Sequence, residues 1–213
     1  MIRLIQGSEK ARNVAQVDQM HRLRKKIFFD RMHWDVNVVD GWEIDGFDDL
    51  NPLYLLSLDE NEQVRGSLRL LPTTGPHMLA DVFSTLLPEG ELIRSATIWE
   101  SSRFSVDLDA PSVRAENGVN HVTAELILGI TEVGLAAGLT HVVSAYDLVM
   151  ERVLKRAQCH AERLGEPQQV GRVKAVAGLF DVSNAMLKRV RAASGITGSV
   201  LEEQSASAIG LVA

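Results

Sequence analysis

The sequence contains a single cysteine, Cys159, in 213 residues. One thiol cannot form a disulfide within the chain, so nothing in the sequence requires an oxidising compartment. The apolar runs are far shorter than the roughly 20 residues of a membrane-spanning helix. The first residues, MIRLIQGSEK, lack the apolar segment of a signal peptide. We therefore expect a cytoplasmic protein without a membrane-inserted segment.

The signatures of nucleotide-phosphate and metal sites are also missing. There is no GxxxxGK motif followed by Ser or Thr, and no GxGxxG follows a strand pattern. The six histidines are never three or four residues apart, which excludes the usual zinc spacing on a helix. Asp45, Asp48 and Asp49 lack the alternating acids, central glycine and closing glutamate of a calcium-binding loop. We therefore expect no metal site.

Basic residues are outnumbered overall but concentrated late in the chain. The 22 basic and 28 acidic residues give a net charge of -6, which argues against general nucleic-acid binding. Residues 151–193, however, carry nine bases and four acids. This segment suits an acidic partner or phosphate groups, and it suits equally well a solvated helix face.

No internal repeat, low-complexity tract or linker divides the chain, so we expect one domain over residues 1–195. Residues 196–213 form a weakly patterned tail that we expect to fray. Strands alternate with helices in the second half, which predicts a mixed sheet with helices on its faces. Hydrophobic periodicity predicts helices near 14–29, 119–137, 147–158 and 183–193, and strands at 53–58, 64–71, 98–106, 139–146 and 173–180.

The first group of candidate functional residues lies at the end of the first helical pattern. Arg24, Phe28 and Arg31 are four and then three residues apart, which places them on one side of a helix, and Trp34 follows. Alternating cations and aromatic rings suit a ligand with a carboxylate, a flat ring or a cationic centre. A helix end that packs its rings into the core, with arginines reaching solvent, gives the same pattern.

The second group is an acidic segment between residues 43 and 49. Its carboxylates repel one another, so a folded protein either solvates them or sets cations against them. Arg24 and Arg69 are candidate partners, and a solvated loop is the alternative. The four acids are Glu43, Asp45, Asp48 and Asp49.

The third group, Trp99–Phe104, interrupts an apolar strand pattern with Glu100 and Arg103. Residues three apart point to opposite faces of a regular strand, so these two meet only if a bulge intervenes. A carboxylate held among aromatic rings has a raised pKa, which suits a general base. A surface glutamate and arginine on an edge strand are the alternative.

Taken together and in order, these groups resemble the acyl-homoserine lactone synthases, the LuxI-type autoinducer synthases of proteobacterial quorum sensing. No single piece is specific, but the ordered set is, and it extends over about residues 1–195. The matching positions are Arg24, Phe28 and Trp34; Glu43, Asp45 and Asp48 of an E-x-D-x-x-D motif; Arg69; Trp99–Phe104 of a W-E-x-S-R-F block; and Met150–Ala157, which is similar to M-E-R-x-L-x-R-A.

The resemblance implies an acetyltransferase-like (GNAT-type) α/β/α sandwich with a central mixed, twisted sheet. It also implies that S-adenosylmethionine is a substrate, so no cofactor is expected. The second substrate would be an acyl thioester on acyl carrier protein or coenzyme A. The products would be an N-acyl homoserine lactone, methylthioadenosine and the free thiol of the carrier.

The same resemblance assigns residues to roles. The catalytic group is Glu100, Ser102 and Arg103, with Glu100 as the base that deprotonates the α-ammonium. The S-adenosylmethionine site and its supporting ions are Arg24, Phe28, Arg31, Trp34, Glu43, Asp45, Asp48, Arg69 and Phe104. The acyl pocket is Ile130, Ser144, Tyr146, Met150 and Phe180, in a looser alignment.

Two rival functions remain. An ordinary acetyltransferase of this fold carries a loop of backbone N–H groups for the pyrophosphate of acetyl-CoA, and residues 114–120 do not match that loop. A non-catalytic acyl-thioester sensor is the second rival, although a sensor has no need of the base Glu100.

Overall fold

The computed structural model describes residues 1–111, 114–115 and 117–203. Glu116, part of the segment compared above with an acetyl-CoA loop, lies outside these ranges, as do residues 204–213 of the predicted tail.

A twisted sheet of eight strands forms the centre of the molecule. The strands of the chain are β1 Ile2–Gln6, β2 Val38–Val39, β3 Trp42–Glu43, β4 Leu53–Leu58, β5 Val64–Pro72, β6 Ile98–Val106, β7 His141–Asp147, β8 Ala161–Arg163, β9 Gln168–Val170 and β10 Val173–Asp181. Their order in the eight-stranded sheet is β1-β4-β5-β6-β7-β10-β8, with β9 also paired to β10. Only β6 and β7 run parallel among the described pairs, and the others are antiparallel. The predicted mixed sheet is therefore confirmed. Strands β2 and β3 form a separate hairpin.

Helices cover both faces of the sheet. They are α1 Val14–Arg24, α2 Met78–Asp81, α3 His121–Ala136, α4 Leu148–Arg156 and α5 Asn184–Ser194. One face packs against α3, α4 and α5 in the largest hydrophobic core, and the other packs against α1 and α2. The long predicted elements are all present. The short α2, β8 and β9 were not predicted, because three or four residues leave no periodic pattern.

Helix α3 is apolar nearly all round, and it is accordingly the most buried helix. Asn120 begins it by accepting a hydrogen bond from the Val122 amide. Gly138 follows its end with a φ of 70°, the left-handed conformation that a glycine adopts most easily. At Gly129 the helix lies so close to β1 and β4 that a methyl group there would sit 3.3 Å from Ile2 and Leu55.

The described part of the tail is packed against β1. The Ile2 amide donates to the Val200 carbonyl at 2.7 Å, and the Glu202 amide donates to the Ile2 carbonyl at 2.9 Å. Val200 and Leu201 are buried in the largest core. The expectation of fraying is therefore wrong for residues 200–202, since this apolar pair completes the edge of the sheet.

Candidate active site

Helix α1 continues beyond Arg24 as a π-helical segment, Lys25–Arg31, in which the Met32 amide bonds the Ile27 carbonyl five residues back. Arg24 and Phe28 are buried, whereas Arg31 is exposed. The predicted stripe is therefore wrong at Arg31. The wider π-helical turns carry that residue off the line of Arg24 and Phe28. Such segments are rare and concentrate at functional sites.

Arg24 points into a cluster of alternating charges, which we call the ion cluster. It donates to Glu43 at 2.5 Å and, through two nitrogens, to both oxygens of Asp48 at 2.8 and 2.9 Å. Arg69 donates to Asp45 at 2.5 Å and to Asp48 at 2.9 Å. The two arginines that were predicted as partners of the acidic segment therefore do form ion pairs with it. The members of the ion cluster are Arg24, Glu43, Asp45, Asp48, Arg69 and Arg103.

The ion cluster is neutral as a whole, with three guanidinium groups against three carboxylates. Burial alone would raise the pKa of Asp48, but hydrogen bonds and charges from Arg24 and Arg69 hold it well below its ordinary value. Tyr54 adds a hydroxyl donor to Asp48 at 2.8 Å. A buried network of this kind is stable only while every member keeps its partners.

A β-bulge brings Arg103 into the ion cluster. Arg69 pairs with Ser102 and Ser67 with Ser105, so β6 has one more residue than β5 between these pairs. Arg103 takes up the extra residue with a φ of 55°, an uncommon conformation for a side chain of its size. Its guanidinium then donates to Glu43 at 2.9 Å and lies 2.7 Å from Asp45.

Glu100 is buried on the same strand, and both of its carboxylate oxygens accept backbone N–H groups from α2. The Met78 amide lies at 2.9 Å and the Leu79 amide at 2.5 Å. Arg103 contacts the Met78 sulfur at 3.3 Å, so both charged side chains meet at one residue. Burial raises the pKa of Glu100, although the two amides and neighbouring charges oppose that rise. A raised pKa suits a general base.

Aromatic rings border the ion cluster. Phe28 stacks on Trp34 with ring centroids 5.4 Å apart, and the Arg103 guanidinium lies 5.5 Å from the Phe28 ring centre. Phe28 is buried and Trp34 is half-buried. Trp34 is therefore the ring that offers surface to a ligand.

Ser102 and Phe104, two further residues of β6, were also predicted to belong to the site. Ser102 accepts a hydrogen bond from Arg69 Nε at 3.2 Å and so steadies that arginine. Phe104 packs against the largest core and is not in the ion cluster.

Strands β6 and β7 separate beside Glu100. Their pairing runs from Ile98 with His141 to Glu100 with Val143, and the next link is the Ser144 hydroxyl, which donates to the Ser101 carbonyl at 2.7 Å. Of the other predicted acyl-pocket residues, Tyr146 and Phe180 are in contact, with ring centroids 5.7 Å apart. Ile130 and Met150 pack against the same core.

Sequence reasoning missed the N-terminal turn of α2 and the side chains around it. Backbone N–H groups carry no residue signature, so the amides that bind Glu100 left no signal. The sequence around Tyr54 is that of an ordinary strand, and His77, which is fully buried, occurs in the turn-rich segment before α2.

Within the described ranges, no three His, Cys, Asp or Glu side chains are grouped to hold a metal ion. No described helix has the length and apolar character to cross a membrane.

Residues 8–190 match a family model described as autoinducer synthase. The acyl-homoserine-lactone synthase of Agrobacterium fabrum is 42% identical over 172 residues, which cover 81% of this chain and 82% of that protein. The structure of BjaI, a CoA-dependent acyl-homoserine lactone synthase with SAM and isopentyl-CoA, has a TM-score of 0.83 at 26% identity and covers 99% of both chains.

A Lactobacillus plantarum protein assigned as an N-acetyltransferase shares the fold alone. Its TM-score is 0.56 at 13% identity, over 85% of this chain and 99% of that one. The acetyltransferase-like α/β/α sandwich expected from the sequence is thus confirmed. The family match extends over most of the chain, including the ion cluster, Glu100 and the bulge. This chain therefore belongs to the autoinducer synthase family, to which its acyl-homoserine-lactone synthase relatives point as well.

Proposed function

We propose that this chain is an acyl-homoserine-lactone synthase that makes a quorum-sensing autoinducer from S-adenosylmethionine and an acyl thioester. It transfers the acyl group to the α-amine of S-adenosylmethionine, then closes the lactone and releases methylthioadenosine. The observation that carries this proposal is the buried carboxylate of Glu100 beside a neutral ion cluster, at the point where β6 and β7 separate.

Glu100 serves as the general base for the first step. The α-ammonium must lose a proton before its nitrogen can attack the thioester carbonyl. Each carboxylate oxygen of Glu100 is fixed by one backbone amide and retains a further lone pair for that proton. Because Glu100 is only 1% exposed, a water molecule between amine and carboxylate fits the site better than direct contact.

The ion cluster orients the substrate and the groups around it. Asp45 is its most exposed acid, with 17% of its side chain accessible, and it is the member best placed to meet an ammonium or ribose hydroxyls. Arg103 is 9% accessible and has the geometry to pair with the substrate carboxylate. Arg24, Arg69, Glu43, Asp48 and Ser102 hold these two side chains in place.

Trp34 supplies the face for the sulfonium, with Phe28 buried behind it. A sulfonium is a cation without N–H donors, so aromatic faces attract it while hydrogen-bond acceptors do not bind it specifically. Arg31 is exposed at the end of the same segment, where it can meet the adenosine portion.

Replacing Trp34 by Leu is expected to weaken S-adenosylmethionine binding about tenfold, since a desolvated cation–π contact contributes about 1–2 kcal/mol. S-adenosylhomocysteine has a neutral sulfur, so its affinity should fall much less. Calorimetric titration with both ligands measures the difference. Phe29→Leu is the control, because Phe29 is an exposed ring on the same segment. Equal losses for both ligands would argue against a sulfonium contact.

The later steps depend on backbone N–H groups and on the conformation of the bound substrate more than on charged side chains. Backbone N–H groups beyond Glu100, where β6 leaves β7, are the proposed donors to the tetrahedral oxyanion. Lactone closure follows when the carboxylate attacks the carbon next to sulfur. The sulfonium is already a good leaving group, so the enzyme mainly holds the reactive conformer.

The acyl chain is proposed to enter between β6 and β7 toward Tyr146. Ile130, Met150 and Phe180 supply apolar surface there, and Ser144 is engaged with the Ser101 carbonyl. Tyr146 lies over Gly178 so closely that a methyl group at Gly178 would overlap its hydroxyl. A bulky ring in this position favours a short or unsubstituted acyl group.

Exposed bases on α4 and α5 are the proposed docking surface for the thioester donor. Arg156 and Lys188 are exposed, whereas Lys155 is paired with Glu151 and Arg189 with Asp181. Both an acidic acyl carrier protein and the phosphates of coenzyme A suit these charges.

The test of the function is methylthioadenosine release by purified protein supplied with S-adenosylmethionine and a panel of acyl donors. We expect release with a short, unsubstituted acyl group on acyl carrier protein or coenzyme A, and a lactone of matching mass. A long 3-oxo chain as the best donor would contradict the acyl-pocket assignment. Acyl transfer to another amine would favour an ordinary acyltransferase. Binding of donors without any release would favour a sensor.

Two further features belong to the same proposal. Residues 1–195 act as one catalytic domain, with the described part of the tail packed along its edge. The reaction takes place in the cytoplasm, where acyl thioesters and S-adenosylmethionine are made. Cys159 suits that compartment, because it is a free thiol buried in the core, and burial raises its pKa to about 12.

A further inference from the structure

His21 is a buried histidine of α1 that contacts the backbone of one member of the ion cluster. The residue is 1% exposed, and its Nδ1 lies 2.9 Å from the backbone carbonyl oxygen of Glu43. A carbonyl oxygen only accepts hydrogen bonds, so Nδ1 carries the hydrogen and donates it. Burial and the charge of Arg24 lower the pKa of His21, which keeps the ring neutral near neutral pH.

The pairing of β2 with β3 directs the Glu43 carbonyl toward His21. The residue after Glu43 is joined to the other strand, because the Ile44 amide donates to the Asn37 carbonyl at 3.2 Å. Pairs with and without hydrogen bonds alternate along an antiparallel ladder, so Glu43 belongs to a pair without them. Its backbone groups therefore point away from β2, and the carbonyl meets the imidazole there.

One side of α1 holds both this hairpin and the ion cluster. The Trp42 ring stacks on His21 with ring centroids 5.3 Å apart, and its Nε1 donates to Asp18 at 2.9 Å. Asp18, His21 and Arg24 follow one another at intervals of three residues, which places them on one side of the helix. Of the two hairpin contacts, the one made by the His21 Nδ1 is with Glu43 itself.

The carboxylate of Glu43 in turn orients Arg103. Glu43 is fully buried and accepts hydrogen bonds from Arg24 at 2.5 Å and from the Nε of Arg103 at 2.9 Å. A terminal nitrogen of Arg103 lies 2.7 Å from Asp45. The guanidinium is planar, so acceptors at two of its edges fix both its plane and the direction of its remaining N–H groups. The position of the Glu43 backbone therefore determines how Arg103 meets a ligand.

We propose that His21 is a positioning residue that fixes Arg103, through Glu43, for the carboxylate of S-adenosylmethionine. This rests on the proposed acyl-homoserine-lactone synthase function, in which Arg103 pairs with that carboxylate. The hydrogen bond of His21 ties the end of β3 to α1, and the Glu43 side chain ties β3 to the bulge of β6. The sulfonium and the adenosine portion are assigned to Trp34 and Arg31, which are not members of this series of contacts.

Two substitutions of His21 separate its hydrogen bond from its ring. His21→Phe keeps a ring against Trp42 and removes the donor. We expect it to bind S-adenosylmethionine about fivefold more weakly, but to bind methylthioadenosine, which has no carboxylate, as the wild type does. The KM for S-adenosylmethionine should rise by the same factor with kcat nearly unchanged, because the carboxylate is held in the ground state and in the transition state alike.

His21→Asn is the matched control, because its amide nitrogen takes the place of Nδ1 while the ring is lost. It should bind both ligands within about twofold of the wild type. Calorimetric titration of the three proteins with both ligands measures these affinities. Equal losses for the two ligands in His21→Phe, or the same selective loss in both variants, would mean that His21 acts through packing and would overturn the proposal. An unchanged affinity for S-adenosylmethionine in His21→Phe would also overturn it.

A measurement on the wild type applies even if His21→Phe does not fold. NMR of isotope-labelled histidine, assigned through the backbone, reports which ring nitrogen of His21 carries the hydrogen. We expect hydrogen on Nδ1, and a ring with hydrogen on Nε2 alone would overturn the proposal. A wild type that binds no S-adenosylmethionine and releases no methylthioadenosine with any donor would instead contradict the proposed function itself.

Discussion

Glu100→Gln is expected to lower kcat at least about a hundredfold while S-adenosylmethionine still binds. The substitution removes the proposed base, and general-base catalysis typically contributes about 10²–10⁴ in rate. The lost interaction belongs to the transition state, so kcat and kcat/KM should fall by the same factor. Methylthioadenosine release at saturating donor, together with calorimetric binding of S-adenosylmethionine, measures both quantities.

The hydrogen bonds of Glu100 determine how this variant must be controlled. A glutamine keeps one carbonyl oxygen but turns an N–H₂ group toward the Met78 or Leu79 amide. The unsatisfied amide costs about 1–3 kcal/mol of stability. Thermal unfolding is therefore measured beside activity, and Glu60→Gln in an exposed turn is the isosteric control. Unchanged turnover in a folded Glu100→Gln protein would remove Glu100 from the mechanism.

The pH dependence of the wild type follows from the same group. Burial raises the pKa of Glu100, so the carboxylate that can accept a proton forms only above the ordinary range for glutamate. The kcat/KM of the wild type should accordingly rise through this raised pKa as pH increases. The glutamine variant does not titrate at this position, so its residual activity should lack that limb.

The sheet and the long helices were predictable because their patterns repeat. Strand β6 was predicted with the bounds that the structure has, since apolar residues lie at both of its ends. The pairing of the acidic segment with Arg24 and Arg69 was also predictable. Carboxylates so close in sequence repel one another, so cations set against them were expected, and Arg24 and Arg69 were the candidates.

Other parts of the site depend on contacts that are distant in sequence. The bulge at Arg103 was foreseeable only as a condition for Glu100 and Arg103 to meet. It forms because β5 and β6 differ by one residue between the pairs Arg69–Ser102 and Ser67–Ser105. The π-helical end of α1 was not foreseeable, because packing selects it and composition does not. The amides of α2 that fix Glu100 depend on tertiary folding in the same way.

Arg24→Met is expected to lower the free energy of unfolding by about 3–5 kcal/mol, the cost of leaving a buried ionic partner unpaired. Arg24 is 1% exposed and bonds both Glu43 and Asp48, so its removal takes one donor from Glu43 and two from Asp48 and leaves the cluster with one uncompensated negative charge. The effect is measured by urea unfolding. Arg22→Met is the control on the same helix, because Arg22 is exposed and its ion pair within the described residues is with Asp18 at the surface. It should unfold like the wild type.

The difference between Arg24→Met and the wild type should shrink in acid. In the wild type, Arg24 and Arg69 hold the pKa of Asp48 below its unfolded value, so this contribution is present near neutral pH and is lost as pH falls. Without Arg24 the contribution is largely absent at every pH. The difference between the two free energies of unfolding should therefore be smaller at about pH 2, below the ordinary pKa of aspartate, than near neutral pH. A constant difference would mean that Arg24 stabilises the fold by packing alone, and the ion cluster would then be needed for orienting substrate and not for folding.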